Sequence, residues 1–183
     1  VDFPGWNIEF SSIIFKYLGK QFYIHCGEIH HIDVHHTNEI AQTEASTGKK
    51  PWVNYWLHGA FMNILGGKKM AKSAGNFITL DNTFVEKNIN PLAYRLACLS
   101  AQYRKPMEWS DEVLIAAKNG LDNIQNKVKN LGTKIGKVNL DFKSKFTEDV
   151  NDDLNMPKAL ATLQEVLKSN LSSEDKLATI IDF

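Results

Sequence analysis

The sequence reads Tyr55-Trp56-Leu57-His58-Gly59-Ala60-Phe61-Met62-Asn63-Ile64-Leu65 and then turns at Gly66-Gly67. This apolar and aromatic run predicts a strand over residues 55–65, because aromatic and branched residues bounded by glycines are typical of strands. Upstream, the pattern predicts a helix over residues 8–18 that stops at Gly19, a short buried strand over residues 22–24, and a helix over residues 38–47 that ends at Gly48. The alternation of short strands and helices up to about residue 80 indicates the α/β class.

The composition changes after Leu80, and the second half of the chain is predicted to be helical. The predicted elements are a helix that begins at Asn90-Pro91, a long helix that follows a cap at Ser110 and runs to Leu131, a polar connector over residues 132–145, and a second long helix over residues 152–171. The sequence therefore predicts a helical bundle after the α/β part.

Composition excludes several classes of protein. The 183 residues are 43% hydrophobic and 23% charged, with 21 basic residues against 21 acidic ones, which is ordinary globular usage and excludes a uniformly basic nucleic-acid coat. No run of about 18 apolar residues is present, so we expect no membrane span. Two cysteines are too few for a disulfide framework, and we expect a reducing, cytoplasmic environment.

Five of the six histidines fall in one short segment of the sequence, namely His25, His30, His31, His35 and His36. His35 and Glu39 are four residues apart, so on a helix they lie on the same face, where an imidazole and a carboxylate can bind one divalent metal or one ammonium group. A surface pair of this spacing is an equally good interpretation. Two ligands do not complete a zinc site, which needs a third and a fourth.

A lysine-rich loop follows the predicted strand, with the sequence Gly66-Gly67-Lys68-Lys69-Met70-Ala71-Lys72-Ser73-Ala74-Gly75-Asn76. Ammonium groups on such a loop can close over a triphosphate and neutralise the charge that builds on a leaving pyrophosphate. The order of glycines and lysine differs from that of a Walker loop. A solvated basic turn is the alternative that spacing alone leaves open.

Several motifs taken together resemble one family. Lys69-Met70-Ala71-Lys72-Ser73 resembles the KMSKS signature of class I aminoacyl-tRNA synthetases, with Ala71 in place of the first serine. The other motifs are Pro4-Gly5-Trp6-Asn7-Ile8-Glu9, His35-His36-Thr37-Asn38-Glu39-Ile40-Ala41-Gln42, Tyr55-Trp56-Leu57-His58 and Asp152-Asp153-Leu154-Asn155. With these, nearly the whole chain is similar to the cysteinyl-tRNA synthetase family.

The resemblance implies ATP-dependent activation of cysteine and its transfer to tRNA(Cys). It implies catalytic roles for Lys72 and Lys69, and binding of ATP with Mg²⁺ through these two lysines together with Met70 and Ser73. It further implies that Trp6 and His35 line the pocket for the substrate cysteine, and that His35 and Glu39 are two of four zinc ligands.

One departure from the family concerns the zinc. The family has a cysteine ligand where this chain has Phe10, and phenylalanine cannot bind zinc. Cys26 is a conceivable replacement, but its position does not correspond to a ligand of the family. We therefore expect weak zinc binding or none, and selection of cysteine by other contacts.

A second departure concerns the extent of the chain. It contains no HIGH motif and does not begin with Met, so we expect a fragment that lacks the N-terminal half and the distal C-terminal region and does not aminoacylate by itself. Within it, the resemblance implies the second half of a Rossmann-type catalytic domain over residues 1–80, a stem-contact segment over residues 81–111, and a tRNA-binding helical bundle over residues 112–183. We expect a monomer.

Two other functions are compatible with the sequence. A non-catalytic paralogue that serves as an RNA-binding module is favoured by Phe10, His30 and Ala71. It is opposed by the retained residues Lys69, Lys72, Trp6, His35 and Glu39. A cysteine ligase of the mycothiol type would form the same adenylate, but such relatives keep the zinc cysteine and have a shorter helical part.

Overall fold

The structure is a computed structural model and describes residues 5–64, 78–79 and 81–183. The chain divides into two compact units, Val1–Phe61 and Met62–Phe183. Among the described residues, no helix combines the length and the apolar character needed to cross a membrane.

The first unit is a strand-helix-strand arrangement preceded by a helix. Helix α1 spans Asn7–Leu18, strand β1 Phe22–Glu28, helix α2 Thr37–Thr47 and strand β2 Val53–Gly59. Between β1 and α2 lie a short 3₁₀ turn, Ile29–His31, and a π-helical turn, Ile32–His36. Strands β1 and β2 are parallel, with His25 opposite Trp56 and Gly27 opposite His58. A helical crossover between parallel strands is the α/β unit that the sequence predicts.

Two of the helix ends follow from glycine. Gly48 adopts a left-handed conformation (φ 67°) at the end of α2, where its N–H donates to the carbonyl of Glu44. Gly19 ends α1 with φ 93°. Both predicted stops are confirmed. The predicted burial of residues 22–24 is wrong, because Tyr23 is 76% exposed and β1 pairs only with β2 among the described strands.

The strand predicted over residues 55–65 is divided between two strands in the part that the structure describes, residues 55–64. β2 ends at Gly59, and a new strand, β3 (Met62–Ile64), pairs in parallel with β4 (Met107–Trp109). The apolar run is continuous in sequence, but its two parts pair with different strands.

The second unit is mostly helical. Its helices are α3 (Leu92–Leu99), α4 (Asp111–Asn130), α5 (Leu140–Asn151), α6 (Met156–Lys168) and α7 (Ser173–Asp182). One apolar core holds Trp109 and Leu114 against α3, with Leu114 only 1% exposed. Ser110 caps α4 as predicted, because its hydroxyl accepts a hydrogen bond from the N–H of Val113.

Two predictions for this unit are wrong in their bounds. The connector predicted over residues 132–145 already enters α5 at Leu140, where Asn139 supplies the cap by accepting from the N–H of Phe142. The long helix predicted over residues 152–171 begins only at Met156, because Asp153 and Leu154 have positive φ values of 53° and 54°, which interrupt a helix.

Candidate functional site

The histidine-rich segment of the first unit folds into one cluster around Glu39. Strand β1 contributes His25, the π-helical turn contributes His35 and His36, and α2 contributes Glu39 in its first turn. His58 reaches the cluster from β2, since the parallel register places the end of β2 beside the end of β1. Residues that are up to 33 positions apart in sequence thus share one site.

Glu39 lies at the centre of this cluster and is fully buried. One carboxylate oxygen, Oε2, is 3.3 Å from Nε2 of His25, and the other, Oε1, is 3.3 Å from Nε2 of His35. Neither oxygen accepts a hydrogen bond of good geometry from the described residues. A buried carboxylate without hydrogen bonds is costly, and such groups are usually paired with a charge or a metal.

Two aromatic side chains pack on His35, namely Trp6, the residue before α1, and Phe10 within α1. The Trp6 ring stacks on the His35 imidazole with 4.1 Å between ring centroids, and the Phe10 ring meets the same imidazole edge-on at 5.5 Å. Trp6 itself remains 55% exposed, so one part of its ring is open to a ligand. The side chain that stands where the resemblance calls for a thiolate therefore packs directly on His35.

His36 is fixed by a hydrogen bond and by close packing. Its Nδ1 lies 2.8 Å from Nε2 of His58, a hydrogen bond whose donor depends on the tautomer. The Trp56 ring covers both His25 and His36, with centroid distances of 4.8 and 4.7 Å. A Cβ on Gly27 would lie 2.3 Å from Cε1 of His36, so only glycine allows the imidazole this close to β1.

Burial shifts the pKa values of the cluster toward the neutral forms. Desolvation, together with repulsion from His25 and His58, lowers the pKa of His36 to about 3. Desolvation also lowers the pKa of His25 and of His35, and it raises the pKa of Glu39 to about 7. Neutral imidazole is the form that binds metal ions, so this environment keeps the histidines ready to act as ligands.

The comparisons with known proteins identify the family. The sequence matches the family model described as tRNA synthetases class I (C) catalytic domain over residues 2–119. The chain belongs to this family.

Two relatives of this class I synthetase chain are both named as cysteine-tRNA ligases. The protein named cysteine-tRNA ligase 1 of Burkholderia lata is 44% identical over 182 residues, which are 99% of this chain and 38% of that protein. The protein named cysteine-tRNA ligase of Treponema denticola is 39% identical over 204 residues, covering 98% of this chain and 41% of its own length. The chain thus spans about two fifths of the length of these relatives.

A solved structure resembles the fold at low sequence identity. A LeuRS of Agrobacterium radiobacter K84, solved as a ternary complex with tRNA and LeuAMS, superposes with a TM-score of 0.65 and 17% identity over 86% of this chain and 24% of that one. At this identity the likeness shows the fold alone. The chain has the fold of a class I synthetase catalytic domain, mixed α/β with mostly helices.

A zinc centre that includes thiolates does not fit the described residues of this family member. His35 and Glu39 are close enough to share an ion, but the third position is occupied by the Phe10 ring. Cys26 lies on β1 and is exposed. Because side chains alternate along a strand, Cys26 and its neighbour His25 point to opposite faces, which directs the thiol away from Glu39.

The predicted site residues divide into two groups. Trp6, His35 and Glu39 lie together, as described above. The lysine-rich loop, with Lys69, Met70, Lys72 and Ser73, lies outside the described residues, so its predicted role stays a prediction.

Sequence reasoning assigned no role to His25, His36 or His58. The signal available for the first two was the clustering of histidines, and His58 belonged to one of the family-like motifs. Nothing in the local sequence indicates that His25 contacts Glu39, because the two residues lie on different elements, β1 and α2.

Proposed function

We propose that the protein to which this chain belongs is a cysteine-tRNA ligase, which activates cysteine with ATP and transfers it to tRNA(Cys) during protein synthesis. The observation that carries the proposal is the 44% identity, over 99% of the chain, to a protein of that name. A monomer in the cytoplasm is part of the same proposal.

The proposed reaction has two steps. A carboxylate oxygen of cysteine attacks the α-phosphorus of ATP, the bond from that phosphorus to the bridging oxygen breaks, and pyrophosphate leaves. A ribose hydroxyl at the 3′ end of the tRNA then attacks the carbonyl carbon of the adenylate, the bond from that carbon to the phosphate oxygen breaks, AMP leaves, and the hydroxyl proton is released to solvent. Both steps depend mainly on positioning and on stabilisation of developing charge, so no general base is assigned.

The loop lysines take the charge-stabilising role. As ATP binds with Mg²⁺, Lys72 and Lys69 neutralise the charge that accumulates on the departing pyrophosphate, and Met70 and Ser73 complete the binding segment. The support for these roles is the KMSKS-like sequence within a chain of this family.

The cysteine substrate is placed at Trp6 and His35. Their stacked rings provide a flat, partly open surface at the start of α1, with the buried Glu39 behind the imidazole. No step of the proposed reaction passes through a zinc-thiolate centre. The aromatic surface and the neutral imidazole would discriminate by shape and by contact with the thiol.

The finer domain assignment is also a proposal. Residues 1–80 would be the second half of a Rossmann-type catalytic domain, residues 81–111 a segment that contacts the acceptor stem, and residues 112–183 a helical bundle that binds tRNA. The parallel pair of β1 and β2 joined through α2 supports the first part, and the run of helices from α4 to α7 supports the last.

The test is cysteine-dependent exchange between ATP and pyrophosphate, measured on the full-length gene product that contains this chain. Lys72→Ala is expected to lower the exchange rate by about 100- to 1,000-fold, the loss seen when one group that stabilises transition-state charge is removed. Lys49→Ala is the matched control, since Lys49 is an exposed lysine outside the loop and the cluster. Exchange with serine in place of cysteine, or an unchanged rate in the Lys72 variant, would contradict the proposal.

A second candidate function is a non-catalytic paralogue that binds RNA. The packing of Phe10 on His35, where the resemblance places a thiolate ligand, favours it. Absence of exchange with any amino acid, together with retained binding of tRNA, would support this second function and exclude the first.

A further inference from the structure

We propose that His25, His36 and Glu39 form a divalent metal site built from nitrogen and oxygen ligands only, a set of ligands different from the one that the family resemblance implies. This inference concerns metal binding alone and stands whether or not the protein activates cysteine. The chemical class of the ion is a first-row divalent cation such as Zn²⁺, which is bound elsewhere by two histidines and a glutamate.

The three side chains already converge. One ligand atom from each lies within 4.8 Å of the other two. In a tetrahedral site with bonds of about 2.0 to 2.1 Å, neighbouring ligand atoms lie about 3.4 Å apart. The 3.3 Å between Nε2 of His25 and Oε2 of Glu39 already has this length. The remaining separations must shorten by about 1.4 Å at most when an ion binds.

The second observation is the state of Glu39. Its side chain is 0% exposed, and both oxygens lack a hydrogen bond from the described residues. A cation would supply the missing partner, since buried charges in proteins are paired or coordinate metals. The side chain of His25 is only 11% exposed and faces the same carboxylate, so the site is enclosed rather than a surface pair.

The surroundings orient the ligands. Metal-binding histidines usually hold their second ring nitrogen in a hydrogen bond, and His36 has such a partner in His58. The rings of Trp52 and Trp56 line His25, and Trp52 is fully buried, which excludes water from one side. Two neutral imidazoles and one carboxylate around a divalent ion would give the occupied site a net charge of +1.

The family-like pair is the rival within the same cluster. His35 is 3.3 Å from the other oxygen of Glu39, but its imidazole is stacked by Trp6 and met edge-on by Phe10. No third ligand joins His35 and Glu39 in the described part of the chain, whereas His36 joins His25 and Glu39. The geometry therefore favours an ion bound by His25, His36 and Glu39 over an ion bound by His35 and Glu39.

The experiment is titration of the chain with Zn²⁺ by calorimetry, followed by absorption spectroscopy of the Co²⁺-loaded protein. We expect one ion per chain and a Co²⁺ spectrum without a thiolate charge-transfer band. His25→Gln and His36→Gln each remove a proposed ligand. Each is expected to weaken Zn²⁺ binding by a larger factor than the roughly 10- to 100-fold that loss of an outer-shell partner costs. His30→Gln is the matched control, because His30 is 73% exposed and contacts Glu28 rather than Glu39.

Three results would overturn the inference. They are the absence of stoichiometric binding, a thiolate band in the Co²⁺ spectrum of the unmodified chain, and loss of binding in His35→Gln while His25→Gln and His36→Gln bind normally. The spectrum is recorded on the unmodified protein, so it decides between nitrogen/oxygen and thiolate ligands even if a variant fails to fold. Circular dichroism of each variant confirms that it is folded before its affinity is compared.

Discussion

Replacement of Glu39 by glutamine should stabilise the metal-free chain at pH 8. Glu39 is fully buried, its oxygens accept no hydrogen bond from the described residues, and burial raises its pKa from 4.5 to about 7. At pH 8 the folded protein must hold a buried charge that the unfolded chain exposes to water. Glutamine has nearly the same shape and carries no charge, so it removes this cost.

The magnitude follows from the two pKa values. A carboxyl group whose pKa is higher in the folded state costs nothing below its unfolded pKa, and the cost grows as the pH rises until it is complete above the folded pKa. For a pKa that rises from 4.5 to about 7, the full cost is about 3 kcal/mol at pH 8. At pH 5 most folded molecules carry the neutral acid, and the cost is about 1 kcal/mol.

The assay is urea denaturation in excess chelator, followed by tryptophan fluorescence at both pH values. Glu39→Gln should raise the free energy of unfolding by about 2 kcal/mol more at pH 8 than at pH 5. Glu86→Gln is the control, since Glu86 is exposed and its replacement should stay within about 0.5 kcal/mol of the unmodified chain. A Glu39 variant that is less stable at pH 8, or one whose gain is equal at both pH values, would refute the reasoning.

The remaining predictions concern the helical unit. Leu114→Ala should lower the free energy of unfolding by about 2 to 5 kcal/mol, because it leaves a cavity at a position only 1% exposed; a loss under 1 kcal/mol in urea denaturation would contradict the described core. Ser110→Ala should cost about 1 kcal/mol by removing the hydrogen bond from the N–H of Val113, and Ser110→Thr, which keeps the hydroxyl, should recover most of it. Asp153→Asn should leave the urea midpoint nearly unchanged despite the 2.6 Å contact with Arg104, since water screens exposed ion pairs; a large shift would mean that this contact is structural.

Local signals in the sequence predicted the helix ends where one residue sets the backbone. Gly19, Gly48 and Ser110 act within a turn of their own positions, through φ values or through a hydrogen bond to a nearby N–H. The spacing of His35 and Glu39 likewise predicted their proximity, because positions four apart lie on one face of a helix.

The errors fall where the outcome depends on distant segments. The run over residues 55–65 is mostly apolar and aromatic, and the pairing of β2 with β1 and of β3 with β4 divides it. The predicted start of α6 is wrong because Asp153 and Leu154 adopt positive φ values, which are uncommon for residues other than glycine and which no local pattern here indicated.

The sequence by itself determined the family, the class of fold and the clustering of histidines along the chain. Only the tertiary structure decided which of them contact the buried carboxylate. His25 on β1 meets Glu39 on α2, and His36 meets His58 beside Gly27, the residue of β1 that pairs with His58 in the parallel register. These contacts join residues 14 and 22 positions apart, whose proximity is set by strand pairing and burial rather than by any local preference of the chain.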